Sequence, residues 1–252
     1  MSENLKGRHA IVTGGGTGIG EAIARALHAA GARVTIMGRT AATLQQVAAS
    51  LPGAHAVVTD ITDAKKISAA FRQAGPADIL VNNAGNAESA PFARTGAALW
   101  HRMLSLNLTG AFLCTHEVLP PMRTAGWGRI VNIASTAAHK GYPYVTAYCA
   151  AKHGLLGFTR ALALETARDG ITVNAVSPGF TETGMLAASV ETIATTTGQS
   201  PEKIRGQLLR SNPQARFIPP AEVAATVVWL CQPSSGGVTG QSISVSGGEV
   251  MT

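Results

Sequence analysis

Short, unbroken apolar runs alternate along this chain with longer stretches in which apolar residues recur at helical spacing. The first run, residues 9–13, leads directly into Gly14-Gly-Gly-Thr-Gly-Ile-Gly20, and a helical pattern with Ile23, Leu27 and Ala30 on one side follows. The same reading predicts strands at 32–37, 54–59, 78–81, 129–134, 171–176 and 241–245. It predicts helices at 40–51, 63–73, 95–123 and 221–230, and one more that carries Tyr148 and Lys152. Pro120 and Pro121 are expected to kink or end the long helix locally. Residues 184–220 read as irregular, with polar Thr195-Thr-Thr-Gly-Gln-Ser200 and a short helix near 202–209, a composition suited to a mobile substrate lid. Strands that are apolar at every position are buried on both faces. The pattern therefore predicts an α/β fold, a parallel sheet covered by helices on both sides. Without repeats or a linker, the 252 residues are expected to form one domain, with the lid at about 184–220.

Composition narrows the class. Apolar residues make up 46% and charged residues 13%, as suits a sheet buried on both faces. No apolar run approaches the roughly 18 residues that span a bilayer, and the first residues lack a signal-like apolar region. Cys114, Cys149 and Cys231 are far apart and odd in number, the usage of a reducing compartment, so a cytoplasmic location is expected. No pair among the seven histidines lies within four residues, so no metal site is expected. The net charge of +6 suits a polyanionic ligand, but scattered basic residues and few aromatics argue against nucleic acid.

Two stretches carry chemistry. A strand, a glycine cluster and a helix, in that order, form a phosphate cradle: glycines let the backbone approach closely, and the helix start offers free N–H groups. The second stretch is Gly128 to Lys152, which places Ser135 at a strand end and Tyr148 and Lys152 one above the other on a helix face. A phenol is a poor acid or base near neutrality, and a nearby cation is expected to bring it into range.

Thr13-Gly14-x-x-x-Gly18-x-Gly20, Asn82-Asn-Ala-Gly85, Ser135, Tyr148-x-x-x-Lys152 and Pro178-Gly179 together resemble the motifs of the short-chain dehydrogenase/reductase family, in its short single-domain branch. The resemblance covers essentially the whole chain and implies a doubly wound Rossmann-type sheet of about seven parallel strands. It also implies a nicotinamide dinucleotide and a homotetramer. The implied reaction interconverts a secondary alcohol and a ketone, with Tyr148 as general acid/base, Ser135 orienting the carbonyl and Lys152 both lowering the phenol's pKa and holding the ribose. Asn107 matches a fourth catalytic residue that holds a relay water, although a helix-packing role remains open for it. Cofactor contacts are implied for Gly14, Thr17, Gly18, Ile19 and Gly20, and for Asn83, Ala84 and Gly85. They are also implied for Tyr148 and Lys152, and for Pro178, Gly179, Thr181 and Thr183 in the carboxamide-binding turn. Asp60 and Ile61 resemble the adenine contact, while Asp60 is equally suited to cap the next helix.

Gly38 stands where relatives using NAD carry an aspartate, and Arg39 follows it. A guanidinium there grips a 2′-phosphate, so NADP(H) is expected to be preferred, with NAD(H) still open. Relatives also place a basic residue in the glycine loop, where this chain has Gly15, Gly16 and Thr17. Substrate contacts are expected from His139, Tyr142, Tyr144 and Met185. Lys203, Arg205, Arg210 and Arg216 either attract the phosphates of a coenzyme A or carrier-protein thioester or form a solvated surface. Overall resemblance leans to 3-oxoacyl-thioester reductases and 3-hydroxyacyl-thioester dehydrogenases. A small or cyclic alcohol or polyol stays open as substrate. A silent dinucleotide-binding regulator is the reading from a different class, and such proteins typically lose the tyrosine or lysine kept here.

Overall fold

The computed structural model describes residues 5–251. Seven strands form one sheet: β1 (His9–Thr13), β2 (Arg33–Gly38), β3 (His55–Val58), β4 (Ile79–Asn82), β5 (Gly128–Ile133), β6 (Ile171–Pro178) and β7 (Ser242–Val245). Their order is β3-β2-β1-β4-β5-β6-β7, and every pairing is parallel. The order reverses between β1 and β4, which opens a crevice at the carboxyl ends of those strands. Such a switch point is where doubly wound sheets bind ligands.

Nine α-helices are present among the described residues: α1 (Gly18–Ala29), α2 (Ala41–Ala49), α3 (Ala64–Ala74), α4 (Ala97–Leu104), α5 (Gly110–Ala125), α6 (Thr146–Thr166), α7 (Gly184–Thr197), α8 (Pro201–Leu209) and α9 (Pro220–Cys231). The apolar strands supply a core on each face. Ala10 and Val12 of β1 and Ile79 and Val81 of β4 pack with Ile23 and Leu27 of α1 and Val223 and Val227 of α9. Ile11 and Leu80, one position over, face Ile67, Phe71, Cys114 and Val118 of α3 and α5. This two-sided burial is why the strands lack the alternation of a half-exposed sheet.

The long helix expected at 95–123 is two helices, α4 and α5, joined by a wide π turn over Ser105–Thr109. Pro120 and Pro121 do not end α5, which continues to Ala125 and stops at left-handed Gly126 (φ 63°). The N–H groups that these prolines lack would have bonded the carbonyls of His116 and Glu117, on the face opposite buried Val118 and Met122.

Residues 184–220 are not irregular, because α7 occupies fourteen of them. Leu186, Val190 and Ala194 recur at helical spacing and pack with Ile204 of α8, in a small core joined by Phe180, Ile193, Leu208 and Phe217. The threonine-rich segment misleads as a loop signal. The hydroxyls of Ser189, Thr192, Thr196 and Thr197 each donate to the carbonyl four residues earlier, at 2.7–2.9 Å, and so remain inside the helix. No helix among the described residues is long and apolar enough to cross a membrane.

Candidate active site

The glycine loop joins β1 to α1 at the crevice. Gly14 and Gly18 have φ of +65° and +56°, a region that side chains with a Cβ rarely enter. Gly20 is needed for space, since a Cβ there would lie 2.1 Å from the Gly14 carbonyl oxygen. Asn83 clips the loop to the end of β4, its Nδ2 donating to the carbonyls of Thr13 (2.9 Å) and Gly14 (3.2 Å). The amides of Asn83 and Ala84 donate in turn to the Thr13 hydroxyl.

Among the described residues, no side-chain bond from Thr17 caps α1, a lack that α1 shares with α2, α4, α6 and α9, so what sets α1 apart is the glycine loop that leads into it. The first-turn N–H groups of α1 are left for an anion. A Cβ on Gly18 would meet Thr183 Cγ2 at 3.3 Å, so the cap of α7 stands directly against the glycine loop. These features fit a dinucleotide pyrophosphate. A Cβ on Gly15 would sit 2.7 Å from Ile36 Cγ2, so that position of the loop has no room for the basic residue of relatives, whereas Thr17 is exposed and already carries a side chain. Exposed Arg39 follows the end of β2.

Asp60 and Ile61 are only partly placed as expected. Asp60 does not cap α3, which Asp63 does through the amides of Lys65 and Lys66. The Asp60 carboxylate accepts instead from the Thr62 amide (3.0 Å) and hydroxyl (2.8 Å). The amide bond and then the hydroxyl, with the Arg39 and Lys66 charges, hold it below the usual carboxylate range against its own partial burial. The Ile61 side chain is core, packed where Gly110 leaves room, so only its backbone can face a ligand.

The chemistry sits across the crevice. Ser135 follows β5 and its Oγ accepts from the Ala137 amide at 3.1 Å. Lys152 is buried and donates to the Ile133 carbonyl at 2.8 Å, and its Nζ lies 5.7 Å from the centre of the Tyr148 ring. Burial pushes the Tyr148 phenol above its ordinary value, a hydrogen bond with Ser135 pulls it part of the way back, and Cys149 adds a small upward push. Burial lowers Lys152 to about 8. The expected lowering of Tyr148 by Lys152 is thus overturned in this structure. Desolvation outweighs a cation that points its proton at a backbone carbonyl and is itself weakened by burial.

Linkage gives the sign of the resulting pH effect. Unfolded Lys152 titrates near 10.5 and folded Lys152 near 8. Between those values the unfolded chain binds more protons, so stability rises with pH over that window. In urea unfolding without cofactor, the difference between wild type and Lys152→Met should therefore shift in favour of wild type from pH 8 to pH 10. A pH-independent difference would rule out a buried, charge-bearing Lys152.

Asn107 lies in the π turn and is 2% exposed. Its Nδ2 donates to the carbonyls of Asn86 (2.9 Å) and Met103 (3.1 Å), and its Oδ1 accepts from the Asn86 amide at 3.3 Å. A Cβ on Gly85 would fall 2.7 Å from Asn107 Oδ1 and 3.6 Å from Lys152 Nζ, so Gly85 keeps these two groups close. The packing role of Asn107 is real, and its place beside Lys152 is as well.

Pro178 ends β6 and Gly179 follows it, packed against Ser246 and Glu249. Thr181 is buried, donates to the Gly179 carbonyl (3.0 Å) and bridges to Ile218, so it shapes the turn. Thr183 donates to the Thr181 carbonyl at 3.3 Å and accepts from the Leu186 amide at 3.4 Å.

The four substrate candidates separate. His139 bonds the hydroxyls of Ser177 (3.0 Å) and Ser242 (3.1 Å) on β6 and β7; burial, followed by the charges of Arg160 and His153, lowers its pKa. Tyr142 is bonded to Thr136 and Glu249. Tyr144, at φ 69°, and Met185, in the first turn of α7, are exposed. Two of the four basic residues are already paired, Arg205 with Glu182 and Arg216 with Glu222. Sequence reasoning missed Glu249, whose side chain is fully buried. Glu249 is the sole charged residue after Glu222, but nothing in its local sequence marks it as buried.

A parallel sheet with this switch point, glycine loop and hydroxyl–phenol–ammonium set defines a dinucleotide-binding α/β oxidoreductase. The short chain dehydrogenase model matches residues 8–194, and the chain belongs to that family of NAD(P)-dependent enzymes. It is 40% identical over 249 residues to a putative ketoacyl reductase of Streptomyces coelicolor, covering 95% of each chain. It is 38% identical to the 3-oxoacyl-[acyl-carrier-protein] reductase of Aquifex aeolicus, covering 98% of this chain and 99% of that one. A crystal structure of an actinorhodin polyketide ketoreductase variant with NADPH superposes with a TM-score of 0.92 at 38% identity, covering 99% of each chain.

Proposed function

We propose that the protein is a ketoreductase that reduces a 3-oxoacyl thioester to the 3-hydroxyacyl thioester and prefers NADPH. The observation that carries this is the meeting of Ser135, Tyr148 and Lys152 at the carboxyl ends of strands whose glycine loop fits a pyrophosphate. Similarity to ketoacyl and 3-oxoacyl reductases supports the substrate class.

A bound nicotinamide dinucleotide would supply the hydride for the carbonyl carbon. Its pyrophosphate would lie on Gly14, Thr17, Gly18, Ile19 and Gly20, and the loop at Asn83, Ala84 and Gly85 would face its adjoining ribose. Lys152 would hold the ribose hydroxyls, and the turn from Pro178 to Thr183 would orient the carboxamide. The Ser135 hydroxyl donates a hydrogen bond to the carbonyl oxygen and fixes its orientation. The Tyr148 hydroxyl gives that oxygen its proton as charge develops on it. Burial makes the phenol a weaker acid than a free one, and the Ser135 hydrogen bond, which pulls it part of the way back, works in favour of the transfer. Lys152 returns the proton to Tyr148, drawing on solvent by way of a water at Asn107. Residues 184–220 cover the cleft, with Tyr144 and Met185 meeting the acyl chain.

The preference for NADPH is supported by Arg39, exposed just past β2, whose guanidinium would hold a 2′-phosphate. The test is oxidation of NADPH and of NADH with acetoacetyl-CoA, with Arg39→Asp run beside wild type. Wild type should favour NADPH, and the variant should lose about tenfold or more in kcat/KM for NADPH while retaining NADH turnover. A wild-type preference for NADH, or an unchanged ratio in the variant, would overturn the cofactor assignment. Inactivity on the thioester with turnover of cyclic or simple alcohols would overturn the substrate class.

A further inference from the structure

The segment after Ser135 and the segment after β7 meet around one buried carboxylate. Glu249 Oε1 accepts from the Tyr142 hydroxyl and pairs with Lys140 Nζ at 3.0 Å. The phenol has one hydrogen, and a carboxylate can only accept, so the 2.7 Å contact between Tyr142 and Thr136 runs the other way, with the Thr136 hydroxyl donating. Lys140 Nζ also lies 4.9 Å from the centre of the Tyr142 ring. On its other side the carboxylate abuts the nicotinamide turn: a Cβ on Gly179 would come within 3.2 Å of Glu249 Oε2. The Tyr142 ring packs edge-on against Phe180, with centroids 6.3 Å apart. Thr136 is the neighbour of Ser135, and Gly179 follows Pro178. The cluster thus joins the two walls of the cleft, one bearing the substrate-orienting hydroxyl and the other the turn that faces the cofactor.

We propose that Glu249 is a positioning residue for the reductase reaction: through Tyr142 and Lys140 it holds the segment after Ser135 at a fixed distance from the Pro178–Gly179 turn. The inference rests on the reductase reading of the site. Burial, followed by the Glu249 bond, pushes the Tyr142 phenol well above its ordinary value, so Tyr142 keeps the proton it donates to Glu249. A bond of this charge-assisted kind fixes geometry more strongly than a neutral one. Lys140 is partly exposed at the outer side of the cluster and Glu249 is fully buried, so the loop is clamped from the inside.

The test uses Glu249→Gln, Tyr142→Phe and the double variant in the full chain. Each single variant should raise KM for the ketone about tenfold, the size of a lost charge-assisted hydrogen bond. KM for NADPH should stay near the wild-type value. If Glu249 acts through Tyr142, the double variant should be no worse than the poorer single one. Hydrogen exchange should quicken in residues 136–145 of Glu249→Gln and stay unchanged in β1 and α1. Additive losses, equal losses for ketone and NADPH, or unchanged exchange at 136–145 would overturn the proposal. If Glu249→Gln fails to fold, Lys140→Met takes its place in the same cycle with Tyr142→Phe. Should wild type reduce no ketone, the reductase reading fails, and the exchange measurement alone decides the positioning role.

Discussion

Tyr148→Phe should lower kcat for ketone reduction by more than about 100-fold, the usual scale of a lost general acid. The variant keeps the ring that packs beside Lys152, and it keeps Ser135 and the glycine loop. NADPH binding, measured by fluorescence titration, should therefore remain close to wild type. What disappears is one hydroxyl, hydrogen-bonded to Ser135 and held protonated by burial. The split between binding and turnover is the diagnostic result, because it marks an interaction made in the transition state and not in the ground state. A fall in both together would point to a collapsed cleft. Near-normal turnover would remove Tyr148 from the mechanism and leave the dinucleotide site without its proton donor.

This result also bears on how the site assembles its charges. A cation beside a phenol is expected to pull the phenol's pKa down, yet burial wins on both groups: Tyr148 rises and Lys152 falls to about 8. Spacing along a helix reports that two side chains share a face. It says nothing of how far the same packing strips them of water, and in this pair desolvation sets the direction of both shifts.

Elsewhere, legibility followed the locality of the signal. The strands were readable because a sheet buried on both faces needs apolar residues at every position, as at Ile79, Leu80 and Val81. The glycine loop and the Tyr148–Lys152 pair were readable because their chemistry depends on neighbours within a few residues. Helix α7 was not, because its threonines are poor helix formers whose hydroxyls are satisfied only once the helix exists, and its apolar stripe finds its partners in α8. Glu249 was not either. Its partners Tyr142 and Lys140 lie more than a hundred residues away, and a buried carboxylate near the end of a chain resembles a solvated one until the fold closes around it.

The second large effect is expected in the glycine loop. Gly20→Ala adds one methyl group, but the group would sit 2.1 Å from the Gly14 carbonyl oxygen and 2.4 Å from Asn83 Nδ2. No flexible side-chain end can swing aside, since one obstacle is backbone and the other is the amide clipping the loop to β4. Relief requires α1 to move away from β1, which parts the N–H groups of the helix start from the loop that shares the phosphate with them. Such overpacking should cost about 3 kcal/mol of stability and weaken NADPH binding by more than about tenfold. Gly157→Ala is the control. Gly157 lies exposed inside α6 with nothing within 4 Å of the added Cβ, so helix propensity alone should raise stability by about 0.5–1 kcal/mol. Opposite shifts in Tm for the same chemical change, with NADPH affinity lost only in Gly20→Ala, would show that the loop is packed to its limit. Tight NADPH binding by Gly20→Ala would mean that the loop opens without loss, and the close approach of α1 to β1 would then have no part in holding the cofactor.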